Sequence, residues 1–345
     1  MVSILDVATR AGVSPTTVSH ALSGKRKVSD TVRTRVLAAM GELGYAPSRT
    51  AQNLAIGRTR ILGLVVPDIS NGFFAELAKG VERTAMDDRY NVILCTTGFD
   101  HAREMLYLEM VKSRAVDGIV YAAGSPPSTS ELARVLGDLP LVLVDEEIPG
   151  ATVSAFVSDN LEGGRLAARY LLGLGHRRAL VVAGSEGLVS SRQRVDGFTQ
   201  AWLAGGGHSP PTAVGGFTED GGRDAVQAYV DAMARGEVTA VFAANDLMAL
   251  GVLDVMRGAG LDCPGDVSVL GFDDIGLARY ARPRLTTVRQ DVAALGSAAA
   301  TALIRALEGT AELDENRHVL PVELVLREST SSVRPDLVSD SKGQR

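Results

Sequence analysis

Ile4-Leu5-Asp6-Val7-Ala8-Thr9-Arg10-Ala11-Gly12-Val13-Ser14-Pro15-Thr16-Thr17-Val18-Ser19-His20-Ala21-Leu22 predicts two short helices joined by a tight turn at Gly12-Val13. Ile4, Val7, Ala8 and Ala11 recur at the i, i+3, i+4, i+7 spacing of an apolar helix face. Ser3 with Asp6 has the form of a capping box. Ser14 stands where an N-cap belongs, and Pro15 takes the first helical position, where a missing N–H costs nothing. At about 100° per residue, Thr17, Val18, Ala21 and Leu22 share one arc and Pro15, Thr16, Ser19 and His20 the opposite one. A helix that buries the first arc and presents small hydroxyls and a histidine on the second can enter a major groove and reach base edges. Ser14, Pro15, Thr16, Thr17, Ser19 and His20 are therefore candidate DNA contacts. An ordinary helical hairpin with a polar outer face carries the same pattern.

Charge favours the first reading, although a solvated basic face carries a similar pattern. Residues 1–60 hold nine Lys/Arg against Asp6, Asp30 and Glu42, a net +6, whereas residues 61–345 carry −12 within a chain of net −6. A basic head on an acidic body is the asymmetry of a chain in which one module alone meets phosphates. A third helix is expected from Ser29 or Asp30, with Val32, Val36, Met40 and Leu43 inward and Gly44 past its end. Residues 49–56, closed by Gly57, form a helical stretch too short to be stable alone in water. Its largest apolar side chain, Leu54, has nothing nearby in sequence to bury it. A helix that forms only on DNA, with Leu54 wedged between base steps, accounts for both features; a plain linker is the alternative.

The motifs 6–8, 11–14, 17–20, 40–45, 51–54, 61–64, 67–71, 245–251, 267–273 and 285–288 resemble those of the lactose-repressor family of transcriptional regulators, over residues 3 to about 330. From residue 61, short apolar runs at 61–66, 92–95, 118–121, 141–144, 180–183, 240–243 and 267–270 alternate with amphipathic segments at 74–89, 102–112, 161–174, 195–203, 222–233 and 246–256. That alternation predicts an α/β fold with parallel sheets covered by helices. The resemblance implies a periplasmic-binding-protein-like core of two doubly wound subdomains behind a three-helix helix-turn-helix head. Expected bounds are 1–46 for the head, 47–60 for a hinge helix and linker, 61–330 for the core and 331–345 for a polar tail. Within the core, 61–160 with 291–321 form one subdomain and 161–290 with 322–330 the other.

Paired α/β lobes take ligands at the carboxyl ends of their strands. Asn71, Phe73, Phe74, Asp145, Asn245 and Asp273 stand at such ends; the adjacent Asp246 reads as an N-cap, and Phe73 and Phe74 read equally as core. The resemblance adds Ser190, Arg194, Phe217 and Gln290. Aromatic rings beside carboxylate, amide and guanidinium groups suit a small polyhydroxy ligand. Leu188 stands where purine-responsive members carry a basic residue, which favours a sugar over a purine or another metabolite.

No phosphate-cradling glycine loop, His-Glu-x-x-His or nucleophile elbow is present, so neither an enzyme nor a cofactor is expected. Cys95 and Cys263 read as packing residues and the histidines as surface or packing groups, with no metal. No stretch has the apolar length of a membrane span and the start carries no leader pattern, so the cytoplasm is the expected location. A solute-binding protein is the rival for the core, and the basic head argues against it. One recognition helix reads only a few base pairs, so a homodimer on a pseudo-palindromic double-stranded operator is expected. The reading is a sequence-specific regulator, a repressor controlled by a sugar.

Overall fold

A computed structural model describes residues 2–23, 26, 28–45, 58–113 and 116–334. The hinge stretch 47–57, Leu54 included, and the tail from 335 lie outside the described residues. The chain divides into two compact units, Met1–Ile61 with Ala115–Asp117, and Leu62–Arg114 with Gly118–Arg345.

The first unit holds helices α1 (Ile4–Ala11), α2 (Pro15–Ser23) and α3 (Asp30–Leu43). The Ser3–Asp6 capping box forms, and Gly12 ends α1 at φ 65°, a conformation that costs a residue with a Cβ. Val7, Ala8, Ala11, Val18, Ala21, Val36 and Ala39 make its core, with Val32, Met40 and Leu43 packed against them. Ser29 occupies the N-cap position of α3, but its hydroxyl makes no capping bond.

The second unit contains two six-stranded sheets. The first has the order β11-β5-β4-β3-β1-β2, from β1 (Ile61–Val66), β2 (Asn91–Thr96), β3 (Gly118–Tyr121), β4 (Leu141–Val144), β5 (Ala155–Ser158) and β11 (Arg317–Leu320). The second has the order β12-β10-β9-β8-β6-β7, from β6 (Ala179–Ala183), β7 (Thr212–Val214), β8 (Ala240–Ala243), β9 (Ser268–Asp273), β10 (Thr286–Gln290) and β12 (Val322–Val325). Helix α4 (Gly72–Asp87) and α12 (Val292–Leu307) cover the first sheet through Leu77, Val81, Leu295, Ala299 and Leu303. On the second sheet, α7 (Asn160–Gly173) and α8 (Val189–Ala204) pack over Val181, Phe242 and Leu270. Helices α9 (Glu219–Gln227) and α11 (Asp246–Gly258) pack over the alternate residues Leu180, Val182 and Val241. The chain passes between the sheets three times, after β5, after β10 and at Pro321 between β11 and β12.

Three local expectations are corrected. The helix expected over 222–233 is two helices, α9 and α10 (Val230–Ala234), broken at Ala228-Tyr229, where Tyr229 turns against the lobe's core. The second sheet is not wholly parallel, because β12 runs antiparallel to β10 at its edge. Asp246 is not the N-cap of α11: Asn245 is, accepting from Met248 N at 2.9 Å. The Asp246 carboxylate instead accepts from Thr287 Oγ1 at 2.6 Å and Ile275 N at 2.9 Å, so it ties two strand ends together. Strands β5, β7, β10, β11 and β12 and helices α6 (Thr129–Leu136) and α12 were absent from the residue pattern. Strands β7 and β11 lie on sheet edges and bury only alternate residues in part, so neither makes a continuous apolar run.

Candidate ligand cleft and nucleic-acid interface

The first sheet sends four segments, after β1, β2, β3 and β4, into a narrow cleft with about 30 Å³ of free internal volume. Asn71 caps α4 by accepting from Phe73 N at 3.0 Å, which places Phe73 and Phe74 at the cleft. Their rings meet edge to face at 5.1 Å and 87°, and both also belong to the lobe's core, so the two sequence readings of this pair coexist. After β4, Asp145 adopts φ 67°, a conformation uncommon outside glycine. Its Oδ1 is enclosed and accepts no hydrogen bond. Burial pushes its carboxyl up to about 8, with Glu146 and Asp273 adding to the shift and Arg194 opposing it.

From the second lobe come Ser190 and Arg194 on α8, Phe217, Asn245 and Asp273. Arg194 is buried with two of its three guanidinium nitrogens engaged: Nε donates to Asn160 Oδ1 at 2.8 Å, and Nη1 to Ala244 O at 2.7 Å and Asp273 Oδ1 at 3.1 Å. Its guanidinium lies 4.0 Å from the Phe272 ring centroid. Gln290 Nε2 donates to the same Asp273 oxygen at 2.7 Å. Burial raises Asp273 to about 6, against the pull of Arg194 and Gln290. Asn245 Nδ2 donates to Phe217 O at 3.0 Å and so fixes the Phe217 loop. A Cβ at Gly184 would stand 2.1 Å from the Phe217 ring, so glycine there gives the ring its seat.

Every expected ligand residue lines the cleft except Gln290, which supports Asp273. Ser190 differs from expectation in that its hydroxyl is already bound to Glu146 at 2.5 Å. Glu146, Leu188, Phe99, Ala123 and Pro67 also line the cleft and were not singled out as contacts. The signal for Glu146 was its place beside Asp145 at a strand end, and Phe99 carried the same signal in the turn that follows the carboxyl end of β2. Among the described residues no cluster of His, Cys, Asp and Glu could hold a metal ion, and no helix is long and apolar enough to cross a membrane.

In the first unit, Val18 and Ala21 of α2 are buried, Pro15 and Thr16 exposed, and Ser19, His20 and Thr17 half-buried. Ser14 Oγ accepts from Thr17 N at 3.1 Å and pairs with Thr17 Oγ1 at 2.8 Å, so both hydroxyls are engaged in holding the helix start. Pro15, Thr16, Ser19 and His20 make up the free arc.

Residues 3–48 match the model described as bacterial regulatory proteins, lacI family, and residues 168–330 match that of a periplasmic binding protein-like domain. The HTH-type transcriptional regulator DegA of Bacillus subtilis (strain 168) is 34% identical over 334 residues, covering 95% of this chain and 98% of its own. A lac repressor dimer solved with operator and the anti-inducer ONPF aligns with a TM-score of 0.81 at 26% identity, over 96% of this chain and 99% of its own. A LacI family regulator from Enterococcus faecalis V583, solved with bound ribose, aligns with a TM-score of 0.71 at 31% identity, over 79% and 100%. With the head and the two-lobed core both matched over nearly its whole length, the chain belongs to the lacI family of bacterial regulatory proteins, ligand-responsive DNA-binding transcriptional regulators.

Proposed function

We propose that this regulator is a repressor that binds a pseudo-palindromic operator as a homodimer through the outward arc of α2, and that a small sugar held in the cleft controls it. One observation carries the sugar reading: Phe73, Phe74 and Phe217 share one cleft with Asp145, Asn245 and Asp273. Rings cover the apolar faces of a sugar while carboxylates and amides take its hydroxyls. The bound ribose of the E. faecalis relative supports the same class. Leu188, apolar and in the lining, supports it against a nucleobase that needs a polar partner there. The dimeric, operator-bound lac repressor supports the assembly, and two recognition helices supply the specificity that one lacks. Leu54 as a minor-groove wedge belongs to the same proposal.

The test is calorimetry of the full chain against a panel of monosaccharides, repeated with Asp273→Ala and Asp273→Asn. Affinity for the responding sugar is expected to fall at least about tenfold, ~1.4 kcal/mol. Operator affinity without sugar is expected to stay unchanged, because Asp273 lies outside the head. Asp273→Asn guards against the folding cost of leaving Arg194 buried without its partner. Full affinity in both variants would place the ligand elsewhere.

A further inference from the structure

Helix α8 starts without a cap of its own: Leu188 precedes it and supplies no side-chain acceptor. The first N–H groups of a helix carry partial positive charge and form a ready seat for a phosphate or carboxylate. Here the seat is filled by the protein. Glu146, from the other lobe and 2% exposed, accepts from Val189 N at 2.7 Å and Ser190 N at 3.2 Å through Oε1. Its Oε2 accepts from Ser190 Oγ at 2.5 Å and Ser190 N at 3.3 Å.

We infer that Glu146 selects the charge class of the effector: by filling the α8 end with its own carboxylate, it reserves the cleft for uncharged hydroxyl-bearing sugars and excludes sugar phosphates and sugar acids. The inference rests on the sugar reading above and narrows it. Arg194, the one cation among the cleft's lining residues, has Nε and Nη1 engaged and one face covered by Phe272, which leaves only Nη2 to meet an incoming anion. Asp145, Glu146 and Asp273 line the same space as acidic groups and bring no further cation to receive it. A buried polar atom of the cleft, Asp145 Oδ1, by contrast has no partner. A buried acceptor without a donor is costly, and a ligand that brings hydroxyl donors removes that cost.

The full-length protein, with Glu146→Ala and Glu146→Gln, is titrated by calorimetry at constant ionic strength with inorganic phosphate, ribose and ribose 5-phosphate. The wild type is expected to show no saturable phosphate binding and to prefer a neutral sugar to its phosphate at least about tenfold. Glu146→Ala, which vacates the α8 end, is expected to gain a saturable phosphate site at least about tenfold tighter than any in the wild type. Glu146→Gln keeps an oxygen in the seat and is expected to gain none. A purely structural tie between the lobes predicts lost stability in both variants and no gain of anion binding in either. A folded Glu146→Ala protein that binds no phosphate overturns the inference, as does a wild type that prefers the sugar phosphate. If Glu146→Ala does not fold, the wild-type preference alone decides. If no sugar binds the wild type but Glu146→Ala gains the phosphate site, the sugar reading fails and the role of Glu146 stands.

Discussion

Asp145 is half-buried as a residue, yet its Oδ1 is enclosed and unpaired, and its backbone is held at φ 67°. A left-handed aspartate costs conformational energy that the surrounding fold must offset, and such residues concentrate at binding sites. The protonation of Asp145 carries a consequence for stability. Asp145 and Asp273 are raised to about 8 and about 6, above the ordinary value of 3.8, so the folded chain holds protons that the unfolded chain releases. Their contribution is fully present below the unfolded value and is lost as pH rises through 6 and then 8. The melting temperature of the ligand-free protein should therefore fall between pH 5.5 and pH 8.5, by about 2–4 °C for each kcal/mol lost. Asp145→Asn should flatten the upper part of that decline. A thermal-shift series in matched buffers checks it, and equal slopes in the two proteins would refute the assignment to Asp145.

Helix α2 presents side chains on the element scale: the same turn that buries Val18 and Ala21 leaves Pro15, Thr16, Ser19 and His20 outward. If that arc reads bases, His20→Ala should cost about 1–3 kcal/mol on the specific operator and little on unrelated DNA. Equal losses on both in a fluorescence-anisotropy titration would assign His20 to the phosphate backbone. Helix starts in the second unit work differently. Asn71 and Asn245 cap α4 and α11 with their own side chains, and these capping residues are also cleft residues. Capping therefore fixes the position of the ligand groups, and among the described residues α8 alone takes its cap from the opposite lobe.

At the scale of the whole molecule, a ligand can alter operator affinity only by as much as its own affinity differs between the two states of the protein. The factor by which saturating sugar changes operator binding should equal the factor by which operator changes sugar binding. Paired titrations of sugar with and without operator, and of operator with and without sugar, check this closure; unequal factors would show a third state. Three crossovers and the Glu146–α8 bonds join the lobes, so the ligand's contacts span one connected unit.

Short-range patterning was enough for the head. The period of Ile4, Val7, Ala8 and Ala11, the Ser3–Asp6 box and Gly12 act within four residues of one another, and the structure realises each one locally. The apolar runs of β1, β3, β4, β6, β8 and β9 were legible for the same reason, whereas β5 and β10, buried as they are, carry Ser158, Thr286, Thr287 and Gln290 and make no such run. Edge strands β7 and β11 were not legible, because pairing with a neighbour, and no apolar run, creates them. The cleft divides along the same line. Asn71, Asp145, Asn245 and Asp273 could be read from their places at strand ends. That Arg194 is engaged by Asn160, Ala244 and Asp273, that Gln290 stands behind Asp273, and that Glu146 caps a helix starting 43 residues later are facts of three-dimensional approach. Hydrogen bonds between groups so distant in sequence leave no period or spacing behind them: the folding of the second lobe brings Arg194, Asp273 and Gln290 together, and only the meeting of the two lobes brings Glu146 to the start of α8.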